Sequence, residues 1–149
     1  MVNIESIPII DADTHVTEPP DLWERFLSKK WLDHPSRPHV AWDEALGEDR
    51  WVVGGHALTG VAYTALAGWK EFPPSHPRSL DEADPGSWDP HERLKRMDEY
   101  GIWAQVLYPN VMAFMTSPFF DGSMPPELAL DCVRAYNDFL IDFSAADER

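Results

Sequence analysis

The chain of 149 residues is 44% hydrophobic and 26% charged, the proportions of one ordinary globular domain with a real core. Its departure from the ordinary lies in sign, since 12 Lys and Arg face 26 Asp and Glu for a formal net charge of -14. Without clustered Lys and Arg this composition excludes nucleic acid and anionic membranes as partners, and no apolar run approaches the ~20 residues that cross a bilayer.

The segment Met1-Val2-Asn3-Ile4-Glu5-Ser6 has neither a basic stretch nor a long apolar one, and the single cysteine, Cys132, has no internal disulfide partner. Both features predict a cytoplasmic protein. Fourteen prolines imply many turns, while an aromatic content of 12% argues against disorder.

In chain order, Ile7-Pro8-Ile9-Ile10 running into Asp11-Ala12-Asp13 predicts a strand, and the unbroken apolar run predicts burial in a parallel sheet. Asp21 to Leu27, after Pro19-Pro20, reads as a short helix. Residues from about 30 to 88 form a Pro- and Trp-rich excursion. Within it, Arg50-Trp51-Val52-Val53, Gly54-Gly55 and His56-Ala57-Leu58 predict a tight β-hairpin, because paired glycines accept positive φ. Pro90 to Tyr100 predicts a helix with Asp89 as N-cap, Glu92 completing a capping box, Leu94 and Met97 on its apolar face, and Gly101 as its left-handed stop. Ile102 to Tyr108 predicts a second buried strand. Pro126 to about Ala146 predicts a long helix with Leu128, Cys132, Ala135 or Tyr136, Phe139, Leu140 and Phe143 on one stripe, and Asp131, Arg134, Asn137 and Asp138 opposite. Strand, helix, strand and helix make an α/β frame.

Glycine-rich phosphate loops, G-x-S-x-G elbows, H-E-x-x-H and paired C-x-x-C motifs are all absent. What remains is Asp11-Ala12-Asp13-Thr14-His15 at the end of the first strand. Period-two alternation would put Asp11, Asp13 and His15 on one face, where a carboxylate and an imidazole can address one divalent metal. The same residues also suit a plain strand end, with an Asp capping a turn and His15 bonded to a neighbour. Glu18 reads equally as a residue reaching that site or as one fixing the Pro19-Pro20 turn. Asn110 sits just past the second strand, at a substrate-contact position or in an ordinary turn after Pro109. His34, His39, His56 and His76 read as surface or turn residues, His91 lies in the first turn of a helix, and Cys132 reads as core. The excursion's tryptophans, with Trp23, could line an aromatic pocket, although small local cores under loops are the ordinary arrangement.

The string Ile10-Asp11-Ala12-Asp13-Thr14-His15-Val16-Thr17-Glu18-Pro19-Pro20-Asp21-Leu22-Trp23 resembles the opening of amidohydrolase-related proteins of the aminocarboxymuconate-semialdehyde decarboxylase type. The resemblance continues in Arg93, Met97-Asp98, Gly101-Ile102, Val106-Leu107-Tyr108-Pro109-Asn110 and Arg134-Ala135-Tyr136-Asn137-Asp138, and within the excursion it is one of texture only. It implies a TIM-type (β/α)₈ barrel with a divalent metal at the carboxyl ends of its strands. It also implies hydrolysis or non-oxidative decarboxylation of a small organic acid or amide. The family's first strand supplies an H-x-H pair or a variant with a carboxylate first. Asp13 and His15 match the carboxylate variant as metal ligands, with Asp11, Glu18 and Asn110 supporting or near the substrate. Zinc is the first expectation for the metal, and an oxygen ligand admits manganese or iron.

A barrel of this type takes about 250 residues. The resemblance therefore predicts an N-terminal portion of an incomplete barrel, lacking the later-strand catalytic residues and inactive as an isolated fragment. The missing part would come from a C-terminal portion or from self-association into a homo-oligomer. The competing reading is a non-catalytic acidic domain that binds a partner protein through its Trp-rich insertion.

Overall fold

Strand β1 (Ile9–Val16) lies parallel to β5 (Ile102–Pro109), forming the two-stranded sheet that carries the candidate site. The computed structural model describes residues 7–114 and 117–148. The parallel pairing agrees with the apolar run, but its predicted burial does not hold: Ile9 is 54% and Ile10 58% exposed. With a single neighbouring strand, these side chains have no layer among the described residues to lie against. Burial begins only at the carboxyl end, where Val16, Thr17 and Glu18 are all enclosed.

Helix α2 (Pro90–Tyr100) connects the excursion to β5. The Asp89 carboxylate accepts the His91 and Glu92 N–H groups at 2.8 and 3.0 Å, and Gly101 ends the helix at φ 70°. The reciprocal half of the capping box is not formed. Glu92 is drawn to Lys95 at 2.6 Å, and the Asp89 N–H donates to the Pro85 carbonyl at 2.8 Å, so that donor is already satisfied. The inner face of α2 buries Met97 and, unexpectedly, Arg93.

The long helix α5 (Pro126–Ser144) buries Leu128, Cys132, Ala135, Tyr136, Phe139 and Phe143 along the expected stripe. Trp23 and Leu22 of α1 (Leu22–Phe26) share their core. The predicted hairpin is present as β3 (Glu48–Val53) and β4 (His56–Gly60), with Gly54 and Gly55 at φ 60° and 82°. A third strand, β2 (His39–Asp43), joins β3 antiparallel. It escaped sequence reading because its side chains are half-buried or exposed and carry little alternation. Trp51 and Val53 reach the same core as Trp23, so these tryptophans anchor the main core rather than local ones, while Trp42 is 56% exposed. Trp31 donates its indole N–H to Asp131 at 2.9 Å, tying the excursion to the polar side of α5.

His76, read as a surface or turn residue, is half-buried in the irregular stretch after Pro73-Pro74 and has a distant partner besides. Its Nε2 lies 2.8 Å from Glu48 Oε2, and its Nδ1 lies 3.0 Å from the Pro74 carbonyl oxygen. Short helices α3 (Val111–Phe114) and α4 (Ser117–Phe120) follow β5. No helix among the described residues is long and apolar enough to cross a membrane.

One buried carboxylate joins three of these elements. Glu18 Oε1 accepts the backbone N–H of Asn110 at 2.8 Å, the N–H of Val111 at 2.9 Å and the Tyr136 hydroxyl at 3.1 Å. The Asn110 side-chain amide returns to the Val16 carbonyl at 2.9 Å. The end of β1, the start of α3 and the middle of α5 are thereby held together. Burial pushes the Glu18 carboxyl up to about 7, against the opposing pull of the N–H and O–H donors. Burial likewise raises the Tyr136 hydroxyl above its ordinary range, with the Glu18 charge adding to the effect.

Two expected outcomes test these contacts. Gly54 and Gly55 share positive φ, but a Cβ on Gly54 would collide with Ser123 Oγ, whereas one on Gly55 meets nothing within 4 Å. Gly55→Ala should cost about 1 kcal/mol for the backbone alone, and Gly54→Ala about 3 kcal/mol, in urea unfolding. Equal losses would show that the packing of the turn on Ser123 is not felt.

The second outcome concerns pH. The fold binds the Glu18 proton more tightly than the unfolded chain, whose ordinary value is 4.5. The stability linked to it is therefore complete below pH 4.5 and is lost as pH rises through 7, amounting to about 3 kcal/mol. Glu18→Gln cannot ionise, so the fall between pH 5 and 8.5 should be smaller than in the wild type by that amount. Parallel stability curves for the two proteins would refute the assignment. Glu18→Ala should cost about 3–5 kcal/mol, because it strands three donors in the interior.

Candidate functional site

Of the five residues singled out from sequence, the fold brings two into direct relation as a donor pair. Asp13 Oδ1 lies 3.7 Å from His15 Nε2 at the carboxyl end of β1, with the Asp13 side chain 88% and the His15 side chain 27% exposed. His15 Nδ1 lies 2.9 Å from the Pro109 carbonyl oxygen on the neighbouring strand. A carbonyl only accepts, so Nδ1 carries the hydrogen. In the neutral ring the lone pair then belongs to Nε2, the nitrogen facing Asp13.

Asp11 does not share a face with this pair by simple alternation. Its register partner is Gln105 and that of Thr14 is Leu107, so β1 holds one more residue than β5 over this stretch. The resulting bulge interrupts the period-two pattern on which the expectation rested. The Asp11 carboxylate turns instead to Gln105, whose Nε2 donates to Asp11 Oδ2 at 3.2 Å.

From Gln105 the contacts pass to a residue whose function sequence reading missed. Arg93 donates through Nη1 to Gln105 Oε1 at 3.3 Å, and through Nη2 to the carbonyls of His15 at 2.9 Å and Ser87 at 3.1 Å. Burial lowers the Arg93 value from the ordinary one, and the nearby Asp11 charge works the other way. Arg93 thus clamps the backbone of the very residue whose imidazole faces Asp13. Its signal in the sequence was positional: Arg93 stands four residues before Met97, on the inward face of α2.

Glu18 and Asn110 lie behind the strand end. Neither side chain touches Asp13, but both fix the Pro109–Asn110 junction that presents a carbonyl to His15. A cavity of about 320 Å³ is lined by His15, Thr14, Asp11, Gln105, Arg93 and Asn110 among others, a size that suits a small molecule. A larger hollow of about 490 Å³ lies between α2, β5 and the end of α5, away from Asp13 and His15. Cys132 is buried, and that burial pushes its thiol up to about 12, leaving no nucleophile there.

The donor pair fits a divalent cation in part. Two donors each about 2.1 Å from one ion can be at most about 4.2 Å apart, and 3.7 Å falls within that span. The hydrogen bond on Nδ1 also leaves Nε2 suited to ligation. No group of three or more His, Cys, Asp or Glu residues able to hold a metal occurs among the described residues. The described residues thus place two potential donor atoms, Asp13 Oδ1 and His15 Nε2, side by side.

No protein-family model matches the chain, and no curated protein matches it. Among solved structures it resembles an amidohydrolase from Mycobacterium avium subsp. paratuberculosis K-10, with a TM-score of 0.64 and 20% sequence identity. The match covers 92% of this chain and 38% of that one, so the chain spans well under half the length of the structure it resembles. At this identity the likeness is one of fold: a mixed α/β arrangement of parallel and antiparallel sheets, like that of an amidohydrolase.

Proposed function

We propose that the chain is the N-terminal part of a metal-dependent hydrolase or non-oxidative decarboxylase of the amidohydrolase type, acting on a small organic acid or amide. The observation that carries this reading is the Asp13–His15 pair at the carboxyl end of a parallel strand, its imidazole held through Nδ1 by the Pro109 carbonyl. Active groups of α/β barrels are built at that end of the strands. The likeness to an amidohydrolase over 92% of the chain supports the same reading.

In this reading β1 and β5 are the first two strands of a TIM-type barrel, and α2 and α5 are helices of its outer layer. The exposed Ile9, Ile10, Trp103 and Val106 are then surfaces that further strands and their side chains would cover. The pair Asp13 and His15 would hold the metal together with ligands from beyond the described residues. Zinc heads the candidates, with manganese or iron admitted by the carboxylate. Such a metal, when bound, makes a hydroxide available near neutral pH or polarises a substrate carboxylate.

The chain's own residues have separable tasks. Asp13 and His15 present donors, Arg93 and Gln105 keep β1 in register with β5, and Asn110 fixes the rim of the small cavity. A catalytic site usually takes three protein ligands, so two alone hold the ion weakly and the isolated chain should show little or no turnover.

Zinc titration followed by calorimetry tests the ligand assignment. Asp13→Ala and His15→Ala are each expected to weaken zinc binding at least about 10-fold while leaving the thermal midpoint near that of the wild type. Unchanged affinity in His15→Ala would remove the assignment. Tight, stoichiometric metal in the isolated chain would overturn the expectation that two ligands hold it weakly.

A further inference from the structure

We propose that Glu18 is a positioning residue for His15, acting on the imidazole through the single peptide group that joins Pro109 to Asn110; the functional consequence rests on reading His15 as a metal ligand. The two side chains never need to meet. The Pro109–Asn110 peptide is trans, so its C=O and N–H point to opposite sides. On one side, Glu18 Oε1 accepts the Asn110 N–H at 2.8 Å. On the other, the Pro109 carbonyl accepts the His15 Nδ1–H at 2.9 Å.

A carboxylate on the N–H of an amide draws its dipole outward and makes its carbonyl oxygen a better acceptor. The His15 Nδ1–H bond is strengthened in turn, which holds the ring in one tautomer and keeps electron density on Nε2. A metal-binding histidine ordinarily receives this support from a carboxylate or carbonyl in direct contact. Here a carboxylate and a carbonyl act in series, linked by one peptide.

The surroundings suit the task. Glu18 is 1% exposed, so water does not compete for its oxygen. The Val111 N–H on that same oxygen fixes its position together with the Asn110 N–H, and the Asn110 amide on the Val16 carbonyl prevents the peptide from turning. The sequence supplies the geometry economically. Glu18 follows His15 by three residues, while Pro109 is the register partner of Val16, so strand pairing alone sets the peptide between the two.

The test uses the whole chain with ¹⁵N-labelled histidine at pH 8.5, first without metal and then with added zinc, in the wild type, Glu18→Gln and Tyr136→Phe. Glu18→Gln keeps an acceptor oxygen but removes the charge, whereas Tyr136→Phe disturbs the same buried cluster and keeps the charge. The wild-type His15 is expected as the Nδ1–H tautomer, with a through-bond coupling between Nδ1 and the Pro109 carbonyl carbon. In Glu18→Gln the His15 ring nitrogens should move toward a tautomer mixture and zinc affinity should fall about 10-fold. In Tyr136→Phe both should stay as in the wild type.

Equal responses in the two variants, or a His15 unmoved by Glu18→Gln, would overturn the proposal. Absence of the Nδ1 coupling in the wild type would do so without any variant. Ring nitrogens that respond in a protein taking up no zinc would support the positioning role and remove the metal reading. Zinc binding abolished by His15→Ala but untouched by Glu18→Gln would do the reverse.

Discussion

The fold turns on a carboxylate that has been taken out of water and given three donors from two other elements. Glu18 closes the carboxyl end of β1 against the start of α3 and the middle of α5, and no other single side chain described here spans those three elements. An isolated carboxylate in such a place would be costly, and removing one partner of a satisfied cluster leaves the others stranded. The cluster therefore specifies geometry more than it adds stability. It sets where β1 ends, where the chain turns after β5, and which peptide faces the imidazole of His15.

The exposed part of the site depends on that hidden part. Asp13 stands almost wholly in solvent, while the His15 ring beside it lies 5.9 Å from that of Tyr108. Order reaches the pair from below by two routes, through Arg93 on the His15 carbonyl and through the Pro109 carbonyl on its ring. Past the bulge between Asp11 and Thr14 the two aspartates have different partners, although Asp11 Oδ1 still accepts the Asp13 N–H at 3.3 Å. Asp11 enters the Gln105–Arg93 network, and Asp13 is left facing outward with His15. Two aspartates that look equivalent in the sequence thus acquire different work.

Helix boundaries were readable because their causes are local. Asp89, Pro90 and Gly101 act within one turn of their own positions, and the α5 stripe repeats over five turns. The Gly-Gly hairpin was legible for the same reason. The burial of Ile9 and Ile10 was misjudged because apolar content measures the wish to be covered, while covering depends on which neighbours are present. Trp51 joined the main core, and His76 found Glu48 twenty-eight residues away, through contacts with no local trace. Arg93 was visible as one of the residues carrying the resemblance, but its partners, the His15 and Ser87 carbonyls and Gln105, had no trace in the local sequence.

The amino-acid sequence by itself determined the α/β frame, the stops and starts of its helices, the acidic surface, and the placing of Asp13 and His15 at a strand end. Those follow from periodicity, capping and charge, which act over a few residues. Only the tertiary structure decided that Asp11 supports the site through Gln105, that Glu18 is enclosed, and that Pro109 addresses His15. These outcomes need segments more than ninety residues apart to meet in one register, and that register is set by a bulge and a buried carboxylate.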